Sequence, residues 1–234
     1  MNPMRKIAIV TGVLFLIATV VPLAASSLVP ALSGADYLTR LSAHKSQAAA
    51  AVLLNLVGYL ACAGIAVALY PALSKWNVGL ALGAVVFRAL ETAFYLVGVV
   101  NLLSLSTLGQ QFSAAGAAER APLQAIANSL VSIKDHAGLV AVFAFCLGAF
   151  LYYYAFFQSR LIPRWLSGFG LVAIVLLMAA CLLALFSGNR ITSYVPLAMA
   201  IFIQEMVLAV WLIVKGFDPA AVAALLAKAA AAGL

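Results

Sequence analysis

Three ionisable side chains stand where the surrounding residues leave no obvious place for charge. The stretch FRALETAFYLVG, Phe87 to Gly98, carries Arg88 and Glu91, and IFIQEMVLAVW, Ile201 to Trp211, carries Glu205. At the centre of an apolar helix each charge costs on the order of 2.5–3.5 kcal/mol to insert, so such groups turn inward and pair. One guanidinium can neutralise one carboxylate. The second acid must then stay protonated or hold a cation, which is the chemistry of a proton relay or of a binding site. The i, i+3 spacing places Arg88 and Glu91 on one helical face. Ala84, Arg88, Glu91, Tyr95 and Gly98 fall within a stripe about 80° wide, so Tyr95 extends the polar line outward.

A second helix supplies a matching surface. Ala48, Ala51, Asn55, Gly58, Cys62 and Ala66 recur at helical spacing, a small-residue face that lets another backbone approach. Asn55 lies near the level of Glu91, and a hydrogen bond between them is expected. The candidate ligand- or proton-binding set is therefore Arg88, Glu91, Glu205, Asn55 and Tyr95. The alternative is a polar clasp that only fixes helix packing.

Other polar or aromatic clusters have simpler readings. SIKDHAG, Ser132 to Gly138, is expected to begin a helix at the membrane boundary, with Asp135 near its positive terminus. LYYYAFF, Leu151 to Phe157, has the composition of an interfacial aromatic belt. Cys62, Cys146 and Cys181 are odd in number, lack metal-ligand spacing and read as small buried hydrophobes. The two histidines, His44 and His136, form no H-x-x-x-H pattern. No phosphate-binding loop, nucleophile elbow, zinc-protease motif or dinucleotide fingerprint occurs. Neither a metal nor a cofactor is called for, and the reading leans away from an enzyme.

The elements that must position these residues are long apolar helices. Of 234 residues, 67% are hydrophobic and 8% charged, against about half and a quarter in soluble domains. Crossing a bilayer core takes roughly 20 apolar residues. Six runs qualify, approximately 7–25, 48–70, 78–105, 138–157, 166–186 and 192–214, each bounded by Gly, Pro, Ser or charged residues. Their uniform apolarity excludes the alternation of an outer-membrane barrel. The first run exceeds a usual signal-peptide core and reads as a retained span. Arg88 then lies about 15 Å into the third span and Glu205 about 14 Å into the sixth, at matching depth.

The formal charge of +7 comes from 13 basic residues scattered singly or in pairs, which excludes a nucleic-acid stripe and fits anchors at span ends. With the N-terminus inside, seven basic residues fall inside and five outside, the orientation expected for cytoplasmic termini. Residues 1–217 read as a single six-helix transmembrane domain. Residues 218–234 read as an alanine-rich tail forming a short helix, with Asp218 as N-cap and Pro219 in the first turn.

FRALETAFYLVGVVNLLSL (Phe87 to Leu105), SRLIPRWLSGFGLV (Ser159 to Val172) and QEMVLAVWLIVKGF (Gln204 to Phe217) resemble a family of bacterial six-span membrane proteins known as domain of unknown function 4386, DUF4386. Its motif residues fall here on Arg88, Glu91, Pro163, Arg164, Trp165, Glu205 and Lys215. The resemblance implies a bacterial cytoplasmic membrane and no established activity. The sequence thus leads to an all-α, polytopic bundle of six transmembrane helices. Arg88 of span three is expected to meet Glu205 of span six in a polar centre that binds a small ligand or supports packing and assembly. Proton- or ion-coupled transport through a buried carboxylate is the alternative. The lipid bilayer, a homo-oligomer or another membrane protein are the expected partners.

Overall fold

The computed structural model describes residues 2–231; the last three residues of the expected tail lie outside the described residues. Among the described residues eight α-helices follow in order: α1 (Pro3–Leu28), α2 (Tyr37–Ala43), α3 (Lys45–Leu73), α4 (Val78–Ala114), α5 (Ala117–Ser159), α6 (Arg164–Ser187), α7 (Val195–Val214) and α8 (Pro219–Ala231). A short 3₁₀ turn, Ile191–Tyr194, leads into α7. Six segments are long and apolar enough to cross a membrane: α1, α3, α4, α5, α6 and the 3₁₀ turn with α7. Among the described residues no strand occurs, and the chain is an all-α polytopic bundle.

Successive spans are neighbours, and α7 closes back on α1. The six spans therefore form a ring in sequence order, which sets α4 opposite α7. Small residues make its tightest contacts. A Cβ added to Gly58 of α3 would stand 2.4 Å from Cγ of Pro22 in α1. One added to Gly12 of α1 would stand 2.7 Å from the Ala209 carbonyl oxygen of α7. Hydrogen at these positions lets backbones approach where larger side chains would hold them apart. The ring's exterior exposes Leu53, Val67, Val100, Val172, Val175 and Val210, the apolar surface a lipid-facing bundle requires.

Local signals account for several helix ends. Asn77 Oδ1 accepts the Leu80 N–H at 2.9 Å and caps α4. Asp218 Oδ1 accepts the Ala221 N–H at 2.8 Å at the start of α8, as the sequence indicates. Arg5 of α1 donates to the Leu212, Ile213 and Val214 carbonyl oxygens at 3.2, 2.7 and 3.1 Å. It thus satisfies orphan acceptors at the end of α7 and puts both ends of the transmembrane unit on the same side of the ring.

At the other side the helices run past the expected spans. QQFSAAGAAERAP, expected as a loop, is helix up to Ala114 and again from Ala117, so α4 and α5 form a long hairpin with Ala115 and Gly116 at its tip. Pro122 lies inside α5. The short α2 packs across this hairpin, burying Tyr37, Leu38 and Leu41 against Leu105, Leu108 and Ala127. SIKDHAG is consequently interior to α5 and not a helix start. Asp135 instead meets Arg190, from the loop before α7, at 2.8 Å. The three cysteines are free and buried, as expected.

Candidate functional site

Arg88 projects from α4 into the ring and is only 1% exposed. Its surroundings come from three helices. Nε donates to the Cys62 carbonyl oxygen of α3 at 3.1 Å, and the guanidinium carbon lies 4.9 Å from the Phe145 ring centroid of α5. Nη1 stands 2.8 Å from Oε2 of Glu91, which is 3% exposed, although the two groups are not aligned as a hydrogen bond. Gly148 makes room for this arrangement: a Cβ there would lie 3.2 Å from Arg88 Cγ and 3.3 Å from its backbone nitrogen. Two turns of α4 are tied to α3 in the same region, because the Thr92 hydroxyl reaches the Tyr59 carbonyl oxygen at 3.0 Å. Tyr95 stacks on Tyr59, with centroids 4.5 Å apart and planes at 12°.

Glu205 does not form the expected direct pair with Arg88. Among the described residues the contact to Arg88 is made by Glu91. The physical reason is the ring: α4 and α7 are opposite, and matching depth says nothing about the distance across. Both groups instead line one cavity of about 520 Å³. Thr19 of α1, Tyr59 and Cys62 of α3, Glu91 and Tyr95 of α4, and Phe145 of α5 share its wall, with Leu177, Ile201 and Phe202 adding apolar surface. Glu205 is half-buried, and its Oε1 has no hydrogen-bond partner.

Asn55 also departs from expectation. It lines a separate space of about 260 Å³ with Val131, Lys134, Asp135 and Arg190, and does not bond Glu91. Its depth along α3 is compatible with Glu91, but its azimuth is not. The two spaces share Pro22, Ser26 and Tyr59 as wall. Of the five sequence candidates, the structure brings Arg88, Glu91, Glu205 and Tyr95 together and leaves Asn55 outside.

Several contributors escape the sequence reading. Tyr152 and Tyr153, taken there as belt residues, are fully buried, because α5 turns that face towards α1, α6 and α7. The Tyr153 hydroxyl donates to Oε1 of Gln204, and Gln204 Nε2 donates to the Leu166 carbonyl oxygen at 3.2 Å. Gln204 therefore clasps α5, α6 and α7 beside the cavity. Its available signal was an amide directly before Glu205 in an otherwise apolar span. Phe156 is buried with them and Phe157 is half-buried, so of the five rings in the run only Tyr154 is exposed as a belt residue would be.

A guanidinium, two carboxylates and aromatic rings around an apolar space are groups for binding and proton handling. Among the described residues no cluster of three or more His, Cys, Asp or Glu could hold a metal ion. The fold and this interior define a multi-pass membrane protein. The chain belongs to the family described as Domain of unknown function (DUF4386), whose model matches residues 10–216. That span contains Arg88, Glu91 and Glu205 and stops before α8. No curated protein and no solved structure matches the chain.

Proposed function

We propose that this is a non-enzymatic membrane protein whose central cavity binds a small amphiphilic molecule. The observation carrying the reading is the combination of a 520 Å³ space with the unpartnered carboxylate oxygen of Glu205 on its border. A clasp that served packing alone would close Arg88 directly onto Glu205. Here Arg88 and Glu91 form an intramembrane ion pair on one wall, and Glu205 faces the space from the other. Cavities of roughly 300–1,000 Å³ with a few convergent polar groups suit small ligands. The family resemblance supports a bacterial inner membrane, and the distribution of basic residues supports cytoplasmic termini. Residues 1–217 act as one domain, with a second copy or another membrane protein as partner.

The test is thermal unfolding of the intact chain in lipid nanodiscs against a panel of small amphiphiles. Binding should raise the midpoint with ligand concentration. Ala198 of α7 also lines the space, and filling it with Ala198→Phe should remove that response. A panel without any concentration-dependent shift would refute ligand binding.

A second reading, proton- or ion-coupled transport, has its own support in the wall shared between the central space and the Asn55 space. Proteoliposomes should then show a pH-driven flux that Glu91→Gln or Glu205→Gln abolishes. Absence of flux under every imposed gradient would refute it.

A further inference from the structure

We propose that the central cavity selects a lipophilic cation, an ammonium group on a compact apolar body, with Glu205 as its counter-ion. This rests on the ligand-binding reading and specifies the chemistry of its ligand.

Charge balance is the first ground. Arg88 is already engaged by Glu91, the Cys62 carbonyl oxygen and the Phe145 face. Glu205 has the Thr19 hydroxyl beside it but makes no salt bridge among the described residues, and its Oε1 makes no hydrogen bond. Among the charged residues lining the cavity, one cation faces two carboxyl groups. An anionic ligand would add a third negative group to an apolar interior, where unpaired charge is severely penalised. A neutral ligand would leave Glu205 as it is. An ammonium group supplies both the missing charge and hydrogen-bond donors.

The walls give the second ground. Tyr59, Phe145 and Phe202 present rings, and cations are attracted to aromatic faces. Leu177, Ile201 and Val142 supply the apolar surface for a hydrocarbon body. A bare metal cation is a poorer fit. Calcium and magnesium take about six or more oxygen ligands, whereas the donors here are one free carboxylate, another already paired, and scattered hydroxyls.

The experiment uses three near-isosteric probes, phenylbutylamine, phenylbutanol and phenylbutyrate, titrated against the full chain in zwitterionic nanodiscs. Empty nanodiscs give the lipid-partition background. The ammonium probe should bind about tenfold or more tightly than the alcohol, as charged hydrogen bonds of this kind allow, and the carboxylate should bind least. Glu205→Gln should bring the amine down to about the alcohol's affinity. Glu205→Asp should retain the preference for the amine. Equal binding of amine and alcohol to the unmodified chain would overturn the cation inference while leaving ligand binding intact. So would an amine preference that survives Glu205→Gln. If none of the three binds the unmodified chain, the inference falls together with the reading beneath it. Because the charge series is read first on the unmodified chain, the test does not depend on any variant folding.

Discussion

Replacing Arg88 with methionine keeps an unbranched apolar stem and removes the guanidinium with its charge. Glu91, 3% exposed, then loses the guanidinium 2.8 Å away. Removing one partner of a buried pair typically destabilises by about 3–5 kcal/mol. An independent limit comes from proton binding, because the stranded acid can neutralise itself. For a carboxyl of ordinary pKa near 4.3, taking up a proton at pH 7 costs about 3.7 kcal/mol, so the loss from this source should not greatly exceed that figure. At pH 5 the same step costs only about 1 kcal/mol. The sign follows directly: an acid that is neutral in the folded variant favours folding at low pH and disfavours it progressively as pH rises. Arg88→Met should therefore unfold about 6–15 °C below the unmodified chain at pH 7, using roughly 2–4 °C per kcal/mol for a chain of this size. The deficit should shrink by more than half at pH 5. Adding Glu91→Gln should recover most of it at pH 7 and remove most of the pH dependence. Thermal unfolding followed by circular dichroism in one detergent reads all three proteins at both pH values. An Arg88→Met protein as stable as the parent at pH 7, or a double variant no better than the single, would refute the reasoning.

Three further outcomes follow from particular contacts. Gly58→Ala drives a methyl into the rigid Pro22 ring, with 2.4 Å available, and should cost about 1–3 kcal/mol in the same unfolding assay. Gln204→Leu strands the buried Tyr153 hydroxyl and should lose about 1–3 kcal/mol; adding Tyr153→Phe should return a substantial part, whereas additive losses would argue against the clasp. Arg5→Ala removes the donors serving three carbonyl oxygens at the end of α7 and should lower stability by about 1–2 kcal/mol. Hydrogen exchange of α7 should then increase chiefly in its last turn.

The spans were legible because a helix in lipid must be apolar for about 20 residues, and little else in the chain satisfies that demand. The helical hairpin beyond them was not, because helices outside the bilayer need no apolar run; only the alanine-rich composition around residues 114–125 hinted at it. The charges Arg88, Glu91 and Glu205 announced the interior by the energy their burial requires. Their partners were harder to read. Spacing along one helix correctly placed Glu91 beside Arg88, since i and i+3 share a face. Depth across different helices is a weaker guide, because it omits azimuth and the order of helices around the ring. That omission brought Glu205 too close to Arg88 and Asn55 too close to Glu91. Tyr152 and Tyr153 misled for a related reason: an aromatic run near a span end fits an interface by composition, while only the helix's orientation decides which rings turn inward.

The central claim is that Glu205 borders an open space within the membrane and not a packed helix contact. It is tested most directly by alkylation of Glu205→Cys with a small uncharged maleimide, in a background with Cys62, Cys146 and Cys181 replaced by alanine. The comparison is Ala209→Cys, one turn along α7 at a fully buried position against α1. The account predicts labelling at 205 and protection at 209 in folded protein. Equal protection at both positions would contradict it.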